Sequence, residues 1–104
     1  MKIVFVEDED MLRHSLSFFL KNNGFEVVDF DNGLDAIDYI KSDSSIDLVI
    51  TDLNLPFAGG KQIVLTCKKE LQTPLKVVIL TSSGIESTEI ELLDLGADDL
   101  AMSS

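Results

Sequence analysis

The stretch at residues 46–56, IDLVITDLNLP, constrains the fold more than any other part of this sequence. Leu48, Val49 and Ile50 form an apolar run that stops at Thr51 and Asp52, and Pro56 cannot continue as a central strand. Asp52 is therefore expected at the end of a buried strand. An Asp in that place is most often a turn former or a helix cap, so its role depends on what else the chain brings to the same edge.

Residues 3–6 are a second short, β-branched apolar run, bounded by Glu7, Asp8, Glu9 and Asp10, and read as a strand buried on both faces. From Met11 the spacing of Leu12, Leu16, Phe19 and Leu20 predicts a helix, with Glu9 or Asp10 as cap and Gly24 as stop. Residues 25–29 form the next strand. Past Asp31, Asn32 and Gly33, a second helix is marked by Leu34, Ile37 and Ile40, and a polar loop at 42–45 leads into the strand ending at Asp52. Gly59 and Gly60 permit a turn into a third helix, whose apolar face is Ile63, Val64, Cys67 and Leu71 and which Thr73 and Pro74 end. Residues 75–80 are a fourth apolar strand stopping at Thr81, Ser82, Ser83 and Gly84; 86–95 read as a helix closed by Gly96, and 98–102 as a short fifth strand. Alternating strands and helices imply right-handed crossovers and a doubly wound parallel sheet of α/β class.

The chain of 104 residues is one domain with a modest core. Hydrophobic content of 45% with 26% charged residues is globular usage. A net charge of −11 argues against sequence-independent binding to nucleic acid or to acidic membranes, which needs basic clusters, and favours cations or basic partners. The single cysteine, Cys67, excludes an internal disulfide framework and sits in a helical core pattern. The four apolar residues near the start are too few for a signal peptide, and no run reaches membrane-spanning length, so a cytoplasmic protein is expected.

In a doubly wound sheet, ligands bind outside the carboxyl ends of the strands. Glu7 and Asp8 end the first strand, Asp52 the third, and Thr81 with Ser82 the fourth. With the first and third strands adjacent, two carboxylates about 4 Å apart repel by roughly 4 kcal/mol at an effective dielectric near 20. Such a cluster calls for a proton or a cation. Mg²⁺ suits it, as a hard ion taking one or two carboxylates beside waters and phosphate oxygens, and a carboxylate next to it can act as nucleophile toward a phosphoryl group. A hydroxyl at Thr81 could bond a phosphoryl oxygen.

The segments VEDED, LVITDLNLP, VVILTSS and LGADD, in this order and at these separations, resemble the receiver domain of bacterial two-component response regulators from about Lys2 to the last residue. The resemblance implies a flavodoxin-like sheet in strand order 2-1-3-4-5. It implies that Asp52 is the phosphoacceptor for a phosphohistidine on a sensor histidine kinase or histidine phosphotransfer protein. Asp8 is then the principal acidic Mg²⁺ ligand, Glu7 acts through water, Asn54 supplies a backbone carbonyl and Thr81 is the switch hydroxyl that moves the loop before Glu86 and the fourth helix. External substrate turnover is not part of this picture. An aspartate-based phosphatase would want a carboxylate where Asn54 stands, and a catalytic Lys.

The sequence departs from the family pattern at its end. Leu100 occupies the place of an aromatic switch residue, Ser103 the place of the usual Lys, and the usual final helix does not follow. That Lys would make a charge-assisted hydrogen bond worth roughly 1.5–3 kcal/mol, so coupling of a phosphoryl group to the active conformation should be weaker. A receiver-like interaction module that no longer signals by phosphorylation is the alternative. Without the helix one sheet face is left partly bare, which predicts association of two chains or a domain truncated from a longer protein. Asp29, Asp31, Asn32, Gly33 and Asp35 lack calcium-loop spacing and read as a turn with an Asx cap; His14 reads as exposed, Phe5, Phe18, Phe19, Phe25 and Phe30 as core, and Phe57 as a possible contact residue.

Overall fold

The computed structural model describes residues 1–53, 55, 57–70, 75–81 and 99–102. The helix expected at 86–95 lies outside them, as do Leu71, Asn54 and Ser103. Strand β1 spans Lys2–Val6, helix α1 Asp10–Asn22, β2 Glu26–Phe30, α2 Gly33–Ser42, β3 Leu48–Asp52, α3 Gly60–Leu65, β4 Lys76–Thr81 and β5 Asp99–Met102. All pairings are parallel, and the first four strands lie in the order β2-β1-β3-β4, with β5 alongside β4. This is the doubly wound α/β sheet that the alternating pattern predicts.

The short apolar runs form strands because the sheet buries both of their faces. In β1, Val4 and Val6 face one side and join Ala36, Ile37 and Ile40 of α2, Val49 of β3, and Ile63, Val64 and Cys67 in a continuous core. Ile3 and Phe5 face the other side, where Val27 and the half-buried Leu16 and Leu20 of α1 cover them. A polar residue at Ile3, Val4, Phe5 or Val6, all buried, would lose roughly 1.5–3 kcal/mol of burial and add an unpaired group. The α1 side is less fully covered farther along the sheet, where Leu48, Ile50 and Leu80 are only half-buried.

Both of the first two helices are rotated relative to the apolar stripes read from the sequence. The inward face of α1 is Arg13, Leu16, Ser17 and Leu20, spaced i, i+3, i+4, i+7, while Leu12 is at the surface and Phe18 and Phe19 are 67% and 59% exposed. Phe18 and Phe19 are thus not core. Ser17 can face inward because its hydroxyl donates to the Asp29 carboxylate on β2 at 2.8 Å. In α2 the buried set is Gly33, Ala36, Ile37 and Ile40, and Leu34 points outward. Helix α1 ends as expected at Gly24, whose φ of 90° is open to glycine, but its N-cap residue Glu9 makes no side-chain cap bond. Asn32 does cap α2, its side-chain oxygen accepting from the Asp35 amide at 2.9 Å, which identifies the Asp29–Asp35 cluster as a helix start.

Helix α3 continues into a π-helical turn over Thr66–Glu70. There the buried Thr66 hydroxyl bonds back to the Gln62 carbonyl at 3.0 Å, and Cys67 is fully buried as its pattern predicts. Burial pushes the Cys67 thiol up to about 11.

Candidate metal centre

Because β1 and β3 are adjacent and parallel, their carboxyl ends place acidic residues at one edge. Val6 pairs with Thr51, and the next residues after the pair are Glu7 and Asp52. One carboxylate oxygen from each of Glu7, Asp8 and Asp52 lies within 4.8 Å of the others. Glu7 is buried, at 4% exposure, Asp52 half-buried and Asp8 exposed. Three of the expected site residues are therefore brought together. Asn54 lies outside the described residues, and for Thr81 only the backbone, the last residue of β4, is described.

Two of the three acids, Glu7 and Asp52, are held by backbone groups. The Glu7 amide donates to the Phe30 carbonyl at 3.0 Å, extending the β1–β2 pairing past the strand, and its carboxylate accepts from the Glu9 amide at 3.0 Å. Asp52 accepts from the Leu53 amide through Oδ1 at 2.8 Å, and the buried Thr51 hydroxyl donates to the Asp52 carbonyl at 3.0 Å. Burial holds the Glu7 carboxyl above its ordinary range; the Glu9 amide opposes that shift, while Asp8 and the charge on Asp52 add to it.

The loop behind Asp52 is tightly packed. Left-handed backbone falls on Phe57 and Ala58, with φ of 57° and 104°, rather than on Gly59 or Gly60. Gly60 is required for close approach: a Cβ there would sit 2.7 Å from the Asp52 carbonyl oxygen. Its amide donates to the Leu53 carbonyl at 2.9 Å, tying the start of α3 to the residue after Asp52. Phe57 is 75% exposed on this loop.

The donor set fits a small hard cation. Carboxylate oxygens are the ligands Mg²⁺ prefers, and two ligands bound directly at about 2.1 Å in octahedral geometry stand no more than about 4.2 Å apart. A triangle bounded by 4.8 Å suits direct contact by some oxygens and contact through water by others. Sequence reasoning missed Arg13. Its guanidinium donates to the Glu7 carbonyl at 3.0 Å and to Asp10 at 2.7 Å, and the only available signal was a cation three residues after Asp10 in the first helix. His14 is exposed, as expected.

Among the described residues no helix is long and apolar enough to cross a membrane. The family model for the response regulator receiver domain matches residues 3–102. The chain is similar to the phosphate regulon transcriptional regulatory protein PhoB of Klebsiella pneumoniae, with 34% identity over 99 residues covering 94% of this chain and 43% of PhoB, so it spans less than half the length of that relative. Among solved structures it is similar to the BeF3-activated N-terminal receiver domain of Klebsiella pneumoniae RstA, with 29% identity, a TM-score of 0.86, and coverage of 98% of this chain and 85% of that one. It is also similar to the response regulator TrrA of Thermotoga maritima in complex with Mg²⁺-BeF, with 26% identity, a TM-score of 0.85, and coverage of 99% and 86%. By sequence along nearly its whole length, and by fold, the chain belongs to the response regulator receiver domain family.

Proposed function

We propose that the chain is a phosphoacceptor module in which Asp52 takes a phosphoryl group from a phosphohistidine on a sensor histidine kinase or histidine phosphotransfer protein. The observation that carries the reading is the convergence of the Glu7, Asp8 and Asp52 carboxylates at the carboxyl ends of β1 and β3. Asp8, Asp52 and the Asn54 backbone carbonyl would hold Mg²⁺, with Glu7 reaching it through water. The bound ion supplies charge to neutralise the phosphoryl oxygens. A Mg²⁺-BeF complex of the related TrrA supports that choice of ion.

The step itself belongs to Asp52. The Leu53 amide at 2.8 Å fixes the orientation of its carboxylate. One of its oxygens attacks phosphorus while the phosphorus–nitrogen bond to the donor imidazole breaks, and the bonding pair leaves with that nitrogen. The product is an acyl phosphate on Asp52. Thr81 at the end of β4 then donates its hydroxyl to a phosphoryl oxygen, and the segment after it reports the new anion.

Ser103 in place of the usual Lys favours a second reading, an interaction module in which phosphorylation no longer switches the fold. Association of two chains fits either reading, supported by the exposed Phe18 and Phe19 and the half-buried Ile50 and Leu80. Incubation with a small phosphodonor and Mg²⁺ tests the first reading. A mass gain of one phosphoryl group, absent in Asp52→Ala, is expected; no gain at saturating Mg²⁺ would leave the interaction module.

A further inference from the structure

We infer that Arg13 is a positioning residue for the metal centre: it pins the peptide that carries Asp8, so that Asp8 stands against Asp52 despite their mutual repulsion. The inference rests on the Mg²⁺-dependent reading above. The segment from Glu7 to Glu9 must hold two acids close to a third, all within 4.8 Å, and like charges at that distance push it outward. What resists is a set of bonds on both sides of Glu7. Its amide donates to the Phe30 carbonyl at 3.0 Å, and its carbonyl, in the peptide linking it to Asp8, accepts from Arg13 Nη1 at 3.0 Å.

The Arg13 side chain is built for this. It stands on the inward face of α1 and is only 11% exposed. Its second nitrogen, Nη2, donates to Asp10 Oδ1 at 2.7 Å, and its own amide donates to the Glu9 carbonyl at 2.9 Å. The guanidinium fork thus spans from the first turn of α1 back to the residue before Asp8, a geometry that a single ammonium cannot match with both bonds. With Asp10 largely exposed, its ion pair with Arg13 does little for stability alone. Its value lies in aiming the fork at the Glu7 carbonyl.

Groups that orient metal ligands from behind typically change metal affinity by 10–100-fold when removed. The test is calorimetric titration of the full chain with MgCl₂, comparing wild type, Arg13→Ala, Arg13→Lys and Asp10→Asn, with circular dichroism to establish that each variant is folded. Arg13→Ala should weaken Mg²⁺ binding by at least about 10-fold, Arg13→Lys should recover part of that loss, and Asp10→Asn should weaken binding less than Arg13→Ala. The Mg²⁺ concentration for half-maximal phosphorylation of Asp52 should rise in parallel, with the rate recovered at saturating Mg²⁺, a split that general loosening of the fold would not give. Folded Arg13→Ala with wild-type Mg²⁺ affinity would overturn the inference and leave the phosphoacceptor reading standing. If Arg13→Ala does not fold, wild-type affinity in both Arg13→Lys and Asp10→Asn overturns it. No saturable Mg²⁺ binding by the wild type removes the inference together with the reading beneath it.

Discussion

Gly60→Ala should damage the metal centre more than its chemistry suggests. An added Cβ would lie 2.7 Å from the Asp52 carbonyl oxygen, 3.2 Å from Leu53 Cα and 3.3 Å from Ile79 Cδ1. Two of these neighbours are backbone, and the Asp52 carbonyl is already fixed by the Thr51 hydroxyl. Overpacking of this kind costs about 1–3 kcal/mol, and three tight neighbours put this site in the upper part of that range. Alanine in the first turn of a helix returns at most about 1 kcal/mol. The net loss is about 1–2 kcal/mol, or a fall in Tm of roughly 5–15 °C for a domain of this size. Because the displaced oxygen belongs to Asp52, Mg²⁺ affinity should fall as well. Gly24→Ala is the comparator: its φ of 90° imposes strain of about 1–2 kcal/mol, but nothing lies within 4 Å of the new atom and the metal centre is untouched. Thermal unfolding and Mg²⁺ titration of both variants decide the matter. A Gly60→Ala protein as stable as wild type, or one that loses stability but binds Mg²⁺ normally, would mean that the close approach of Gly60 to the Asp52 carbonyl does not shape the site.

Phe5→Ala should cost about 3–5 kcal/mol, a large share of the stability of a small domain, whereas Phe19→Ala should stay within about 0.5 kcal/mol by denaturant unfolding, since one ring is fully buried and the other largely exposed. Asp43→Asn should lower stability at neutral pH and flatten its acid dependence. Bonds from Lys2, then Ser45 and Tyr39, hold the Asp43 carboxyl well below the usual carboxylate range, and Asp43 with Tyr39 holds the Lys2 ammonium above its own. The pair therefore stabilises the fold above the ordinary Asp pKa, loses that contribution as pH falls below it, and loses the Lys2 share as pH rises past the ordinary Lys range, which thermal unfolding across pH will show. Cys67 should resist thiol reagents in the folded chain, and stability should decline as pH rises from 9.0 toward about 11, where the unfolded chain ionises its thiol and the folded chain does not.

The strands were legible because each is a short apolar run cut off by polar residues, and Glu7, Asp8 and Asp52 were legible as an edge cluster once the alternation implied a parallel sheet. The rotation of α1 was not. Met11, Leu12, Leu16, Phe18, Phe19 and Leu20 spread apolar side chains over more than half of that helix's circumference, an arc wider than the face it can bury, so spacing alone leaves its phase open. The phase is settled by two polar residues with distant or backbone partners, Ser17 on Asp29 and Arg13 on the Glu7 carbonyl. In α2 a similar ambiguity was resolved by size, with Gly33 and Ala36 facing inward in place of Leu34. The loop after β3 was opaque for another reason: its left-handed residues are Phe57 and Ala58, types that carry no turn signal, beside two glycines that do.

In the proposed reaction Asp52 itself becomes an acyl phosphate. Borohydride reduces the acyl carbon of such a mixed anhydride, expelling phosphate and leaving the acceptor side chain as a primary alcohol, so peptide mass mapping after treatment with phosphodonor, Mg²⁺ and borohydride locates it. That alcohol is expected at position 52, dependent on Mg²⁺ and absent without the donor. Reduction at another carboxylate, or none at position 52 in a folded, Mg²⁺-bound protein, would contradict it.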